Sequence, residues 1–289
     1  MIATAFASAR RAEALGARLP PLLVAAQRVA NTVAQGVHGR RRVGQGDSFW
    51  QFRPFMHGDQ IARIDWRASA KSDRSFIRET EWEAAQTVYL WRDASGSMDW
   101  RSGSETPFKR ERAEILLLAL AALLLRGGER VRLIGGPPRL RGGRFALEDL
   151  AEAVAGLPAG NGMPPQLPLP RHARVILIGD FLHPIDEIRP IVAAMAAIPV
   201  AGYLLQVLDP AEALLPYSGR IRFKGLEREA DALVPRVEGI RDAYAAALQE
   251  QQASLAALCA AADWRFAVHR TDHPPEAALL AAYTAMSAT

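Results

Sequence analysis

The sequence predicts an α/β fold, in which a mostly parallel central sheet carries helices on both faces and a small N-terminal helical and β-rich module precedes it. Of the 289 residues, 49% are hydrophobic but only 7% are aromatic, a balance that favours aliphatic helices packed on a sheet. From Thr87 onward, short apolar runs alternate with longer helical patterns. Strands that are apolar throughout indicate a sheet covered on both sides.

The chain divides into three regions by composition. Residues 1–35 carry leucines and valines at helical spacing, interrupted by Pro20 and Pro21, and we expect two short helices there. Residues 36–84 contain short aromatic and β-branched pieces separated by glycines, which is typical of a small β-rich module. Residues 85–289 form the predicted α/β domain.

Within the α/β domain the helices and strands follow from hydrophobic runs and from their end signals. The strongest helix opens at Thr106-Pro107 and stops at Gly127-Gly128. The full set of predicted elements, in chain order, is strand 88–91, helix 107–126, strand 131–134, helix 147–155, a Pro/Gly-rich loop 156–170, strand 175–178, helix 185–197, strand 200–208, helix 237–262, strand 264–268 and a terminal helix.

Charge and cysteine content exclude several classes of function. The chain has 35 Lys and Arg against 31 Asp and Glu, and only three of the basic residues are lysines, which is the bias of a GC-rich genome. A net charge of +4 over this length is a weak field, so we expect no nucleic-acid partner. The single cysteine, Cys259, favours a reducing compartment, and no apolar run is long enough to cross a membrane. The cytoplasm is the expected location.

Polar side chains follow two of the predicted strands. Asp93, Ser95 and Ser97 come directly after the first strand, in the pattern D-x-S-x-S, and Asp180 follows a later one. Ligands of parallel sheets bind beyond the carboxyl ends of strands. Carboxylate and hydroxyl oxygens are hard ligands that suit Mg²⁺ or Mn²⁺. The sequence therefore predicts a divalent cation site formed by these four residues.

This arrangement resembles the von Willebrand factor type A fold and its metal-ion-dependent adhesion site. The resemblance implies that Ser95 and Ser97 bind the metal directly and that Asp93 and Asp180 complete its shell, leaving the ion able to accept a partner's carboxylate. The family also uses a threonine from a later loop. In this sequence the corresponding loop reads G-N-G-M-P, and Met163 stands at the threonine's position.

A second stretch, residues 46–79, contains G-D-x-x-x-R-I-D-W-x-x-S-A after an aromatic-x-x-R-x-aromatic segment. It resembles the bacterial family known as domain of unknown function 58. Its charged residues alternate in sign, which is typical of a network that holds an irregular loop against a domain. Two interpretations remain open: a structural clasp between module and domain, or a surface that docks a partner. The residues in question are Arg53, Asp59, Arg63, Asp65 and Trp66.

The expected function is that of a non-enzymatic protein-interaction or adaptor protein. Members of the resembled family commonly accompany MoxR-type AAA+ ATPases, which implies such a partner and a role in maturing other, unidentified protein complexes. The chain lacks a phosphate-binding G-x-x-x-x-G-K-[S/T] loop of its own. One alternative is a Mg²⁺-dependent phosphoryl-transfer or hydrolytic enzyme at the same strand ends, for which Asp99 is the only further carboxylate nearby. The other is a structural domain with a degenerate metal site.

Overall fold

A computed structural model describes residues 23–34, 49–56, 64–70, 74–80, 86–137, 145–227 and 230–287. Contacts divide them into two units, of which one contains residues 23–34 and all described residues from 86 onward. The other unit contains the described residues between 49 and 80. The predicted fold class is confirmed.

The large unit is built on a five-stranded, wholly parallel sheet with the strand order β4-β3-β5-β6-β9. Its strands are β3 (Thr87–Arg92), β4 (Arg130–Leu133), β5 (Arg174–Gly179), β6 (Ala201–Leu208) and β9 (Arg265–Arg270). The chain leaves β3 toward β4 on one side and returns to β5 on the other, so the strand order reverses between β3 and β5. The carboxyl ends of these two strands therefore border a crevice.

Helices cover both faces of the sheet, as the apolar strands require. Along β5, Val175 and Leu177 pack on one face while Ile176 and Ile178 pack on the other, because successive side chains of a strand point in opposite directions. The helices are α3 (Lys109–Arg126), α4 (Ala146–Ala155) and α8 (Pro275–Ser287) on the Ile176 face, and α5 (Ile185–Ala196) and α7 (Arg241–Ala261) on the Val175 face.

The helical residues 23–34, here α1, join the core of the large unit. Ala26, Val29, Ala30 and Val33 are buried in the same apolar cluster as α3. In the smaller unit, β1 (Phe49–Pro54) pairs with β2 (Phe76–Thr80) in antiparallel fashion, and the one-turn helix α2 (Trp66–Ser69) lies between them in sequence.

The structure differs from the sequence-based element assignment mainly between β6 and α7. A short helix, α6 (Pro210–Leu214), follows β6, and an antiparallel hairpin of β7 (Ile221–Phe223) and β8 (Ala232–Val234) follows α6. The long helix predicted from residue 237 begins at Arg241, after a 3₁₀ turn over Val237–Gly239. The hairpin was not predicted because each of its strands has three residues, too few for a periodic pattern.

Candidate functional site

The predicted site residues come together at the crevice between β3 and β5. Asp93 is wholly buried, Asp180 is 1% exposed and Ser95 is 3% exposed. The backbone N–H of Asp93 donates to the carbonyl of Ile178 (2.8 Å), which holds the first residue after β3 against the end of β5. The ends of β3 and β5 therefore lie next to each other, as the sequence predicted.

Three of these side chains form one hydrogen-bonded row. Ser97 Oγ donates to Asp180 Oδ2 (2.6 Å), and the Ser95 and Ser97 hydroxyl oxygens are 3.0 Å apart. Because the single proton of the Ser97 hydroxyl is used on Asp180, Ser95 is the donor in the second bond. The row therefore directs hydroxyl protons toward the Asp180 carboxylate.

Asp93 has one oxygen satisfied and one without a partner. Its Oδ1 accepts the backbone N–H of Ser95 (2.8 Å), whereas Oδ2 is buried and has no hydrogen-bond partner among the described residues. Burial raises the pKa of Asp93, and the nearby charge of Asp180 raises it further. An unpaired buried carboxylate oxygen is costly, so this oxygen marks a place where a cation or a donor would be stabilised.

Two glycines allow the chain to come this close. A Cβ on Gly179 would lie 3.0 Å from Asp93 Cβ, so the residue before Asp180 has to be small. A Cβ on Gly96 would lie 2.6 Å from the carbonyl oxygen of Leu226, at the tip of the β7–β8 hairpin. The hairpin tip thus lies directly on the D-x-S-x-S turn, and Glu227 Oε1 accepts the backbone N–H of Ser97 (3.3 Å).

The structure also places in the site a positively charged side chain that the sequence analysis did not identify. Lys109, the first residue of α3, is fully buried, and its ammonium group donates to Asp180 Oδ2 (2.9 Å) and to Glu212 Oε1 (2.6 Å). Burial alone would lower the pKa of Lys109, but Asp180 and Glu212 more than offset it, and the net shift is upward. Lys109 therefore carries its positive charge in the site.

A capping box positions Glu212. Asp209 is the N-cap of α6, its Oδ1 accepts the N–H of Ala211 (2.8 Å), and Glu212 Oε2 accepts the N–H of Asp209 (2.9 Å). These bonds leave Glu212 Oε1 for Lys109. The sequence did carry signals for this pair: D-P-A-E is a helix-start pattern, and Lys109 is one of only three lysines among 35 basic residues.

The loop after α4 approaches the site, but Met163 in this loop has no side-chain oxygen that could bind a metal. The N–H of Gly160 donates to the carbonyl of Ala94 (3.1 Å), so this loop does run beside the turn. Met163 packs against the apolar cluster on the Val175 face of the sheet. Its thioether is a soft ligand that does not replace a hydroxyl for Mg²⁺.

The residues present fit a small hard cation through their chemistry. Asp93 Oδ2 is unpaired, the charge of Asp180 acts on the Asp93 carboxyl, and the Ser95 and Ser97 hydroxyls form a hydrogen-bonded row that ends at Asp180. Asp93 and Asp180 are the carboxylates of this donor set, and no group of three or more His, Cys, Asp or Glu side chains that could hold a metal is present in the described part of the chain.

The second set of sequence-predicted residues falls in the smaller unit. Asp59 and Arg63 lie outside the described residues, and of Arg53 only the backbone, in β1, is described. The N–H of Asp65 donates to the carbonyl of Phe76 (2.9 Å), which joins the start of α2 to β2. Trp66 is 65% exposed. The two interpretations of these residues, a structural clasp and a surface that docks a partner, both stay predictions.

Fold and site together define a class: a doubly wound α/β domain with an acidic, hydroxyl-lined crevice at its strand-order reversal. A family model described as protein of unknown function DUF58 matches residues 51–254, and the chain belongs to this family. Uncharacterized proteins of Mycobacterium tuberculosis and Mycobacterium bovis are each 26% identical over 258 residues, covering 84% of this chain and 80% of theirs. No solved structure matches the chain.

None of the helices in the described ranges is long and apolar enough to cross a membrane.

Proposed function

We propose that this chain is a non-enzymatic interaction protein that docks partner proteins at the crevice between β3 and β5, with Mg²⁺ or Mn²⁺ as the bound cation. The observation that carries the proposal is the buried, unpartnered Asp93 Oδ2, whose carboxyl interacts with the charge of Asp180 at the end of the Ser95–Ser97–Asp180 hydrogen-bonded row. These four side chains would hold the ion. A metal with few charged ligands would supply an electrophilic centre for a partner's carboxylate.

The likeness to the von Willebrand factor type A fold belongs to the same proposal. The parallel sheet, the helices on both faces and the D-x-S-x-S turn at the end of β3 support it. Met163 in place of the loop threonine distinguishes this site from the adhesion site that it resembles.

Exposed leucines near the crevice support a docking role over a closed structural one. Leu182 follows Asp180 by two residues and is 43% exposed, Leu214 ends α6, and Leu226 lies against Gly96. Protein interfaces combine apolar contacts of this kind with a few polar groups that fix orientation.

We propose a MoxR-type AAA+ ATPase as the partner and other protein complexes, not yet identified, as the clients, with the cytoplasm as the compartment. Family resemblance supports this choice of partner. Co-purification of the chain with such an ATPase from the same genome, with and without Mg²⁺ and ATP, tests it. We expect a complex that Asp93→Ala weakens, and absence of a complex under every condition would overturn this partner.

The contacts of Asp99 weigh against its use as the additional carboxylate of a phosphoryl-transfer or hydrolytic enzyme. Its carboxylate pairs with Arg110 at a half-exposed position. The sequence-based candidate for an additional carboxylate is thus engaged in a separate ion pair.

Calorimetric titration with Mg²⁺ and with Mn²⁺ tests the site itself. We expect saturable binding to the wild type and its loss in Asp93→Ala and in Ser95→Ala. Ser104→Ala is the matched control, because Ser104 is exposed on the segment that leads into α3. Thermal melts establish that each variant is folded. Absence of heat in the wild type would show a degenerate site and leave the α/β domain a structural one.

A further inference from the structure

Lys109 places a positive charge in the same cluster that would hold the divalent cation. Its side chain is fully buried, and its two anionic partners come from different strand ends: Asp180 follows β5, and Glu212 belongs to α6 after β6. Arginine is the usual basic residue of this chain, but a guanidinium is a wide, planar fork. An ammonium is a compact point charge, and it is the group that most resembles a metal ion in size.

The Lys109 ammonium would compete with a metal ion that binds Asp180 through Oδ2. Asp180 Oδ2 already accepts two hydrogen bonds, from Ser97 Oγ at 2.6 Å and from Lys109 Nζ at 2.9 Å. A carboxylate oxygen has two lone pairs, so a third ligand at this atom must displace one of them. Electrostatics act in the same direction, because an ammonium next to the site repels a second cation in this buried position.

We propose that Lys109 is a built-in cation of this crevice, and that a divalent ion binds by displacing its ammonium from Asp180. This inference rests on the proposed function, since it concerns the same site. It makes Lys109 a residue that sets the affinity of the site for metal, and it gives Glu212 a function: Glu212 retains the displaced ammonium, so that the exchange leaves no buried charge without a partner.

The opposite charges around the site support this exchange. Asp93, Asp180 and Glu212 contribute three carboxylates, and Glu227 adds its negative charge near Asp93. Two buried cations face them, the Lys109 ammonium and the Arg92 guanidinium beside Asp93. These two cations leave an excess of negative charge, which a divalent ion could balance once Lys109 has moved toward Glu212.

The test is a titration of full-length protein with Mg²⁺ and, separately, Mn²⁺, by calorimetry and by the rise in melting temperature. Lys109→Met removes the charge at nearly constant length. The double variant Lys109→Met/Glu212→Gln removes the ammonium and one of its two partners, so the charge of the Lys109–Asp180–Glu212 group stays at its wild-type value. Arg110→Met is the matched control, because it removes one positive charge from the adjacent position on α3.

We expect both variants that lack Lys109 to bind metal at least about tenfold more tightly than the wild type, while Arg110→Met stays near the wild-type affinity. Tight binding by these variants with no detectable binding by the wild type would also support the inference, and would overturn metal-dependent docking by the natural chain. Equal or weaker binding without Lys109 would overturn the inference and leave the proposed site standing. No binding by any of the proteins would overturn both.

Discussion

At the scale of single residues, the two carboxylate oxygens of Asp93 have different surroundings. The backbone fixes one carboxylate oxygen through the N–H of Ser95, and the glycine at position 179 lets the side chain lie against β5. The second oxygen stays unpaired, and the pKa of the carboxyl is raised by burial. Such an arrangement costs stability in the free protein, and binding of a cation would recover that cost.

His269, near the end of β9, is a second buried titratable residue, and burial disfavours its positive charge. Burial lowers its pKa to about 4, and the charges of Arg112 and His273 lower it further, while Asp272 acts in the opposite direction. Its Nε2 has no hydrogen-bond partner within the described ranges. The folded protein therefore holds His269 neutral.

The pH dependence of stability follows from that shift. The pKa is about 4 in the folded chain against 6.5 for an unperturbed histidine, so the unfolded state binds the proton more tightly. The contribution of neutral His269 is complete above the unfolded value and is lost as the pH falls from there toward 4. Between about pH 7 and about pH 5, we expect the wild type to lose about 2 kcal/mol more unfolding free energy than His269→Phe.

Urea unfolding at the two pH values measures this difference. Val268→Phe provides the control, because Val268 is exposed on the same strand and the substitution adds a phenyl ring without removing a titratable group, so it should retain the pH dependence of the wild type. Parallel stability curves for the wild type and His269→Phe would contradict the assignment of a neutral, buried His269.

At the level of elements, the β7–β8 hairpin is held to the D-x-S-x-S turn by close backbone packing. The carbonyl of Leu226 occupies the space where a side chain on Gly96 would begin, and Glu227 accepts the N–H of Ser97. The hairpin is therefore coupled to the site, although it is far from the turn in sequence.

Substitution of Gly96 by alanine tests this coupling. The added Cβ would meet a backbone oxygen at 2.6 Å, which cannot rotate away, so the hairpin tip has to shift. We expect a loss of about 1–3 kcal/mol in unfolding free energy and faster hydrogen exchange in the described part of residues 221–234. Gly103→Ala is the control, because nothing lies within 4 Å of its Cβ position. Unchanged exchange in Gly96→Ala would contradict the contact.

The inner strands of the central sheet, β3, β5 and β6, were predictable because each contains a run of apolar residues that packs on both faces. The prediction for β5 covered 175–178, and the strand is Arg174–Gly179. The hairpin and α6 were not predicted. Their residues number three to five per element, and contacts with distant residues, such as Leu226 with Gly96, hold them in place.

At the scale of the whole molecule, α1 completes the core of the large unit, although about fifty residues lie between α1 and the rest of that unit in the sequence. Val29 is 7% exposed and packs in the cluster of α3, whereas Val24 on the same helix is 56% exposed. The α/β unit therefore depends on residues that precede the smaller unit.

A pair of matched substitutions measures that dependence. Val29→Asp places an unpaired carboxylate in the core, and we expect it to lower the unfolding free energy by about 3 kcal/mol or more. Val24→Asp makes the same chemical change at an exposed position and should stay within about 0.5 kcal/mol of the wild type. Equal effects in chemical denaturation would show that α1 does not contribute to the core.

The sequence by itself determined the fold class and the four residues at the ends of β3 and β5, because apolar strand runs and the residues that follow them are local signals. The site's charge balance was decided by tertiary structure. Lys109 lies 71 positions before Asp180 and 103 before Glu212 in the sequence. The three side chains meet only because α3 and α6 pack at the carboxyl ends of the strands. A local pattern cannot encode such a contact, since it depends on where three separate elements meet.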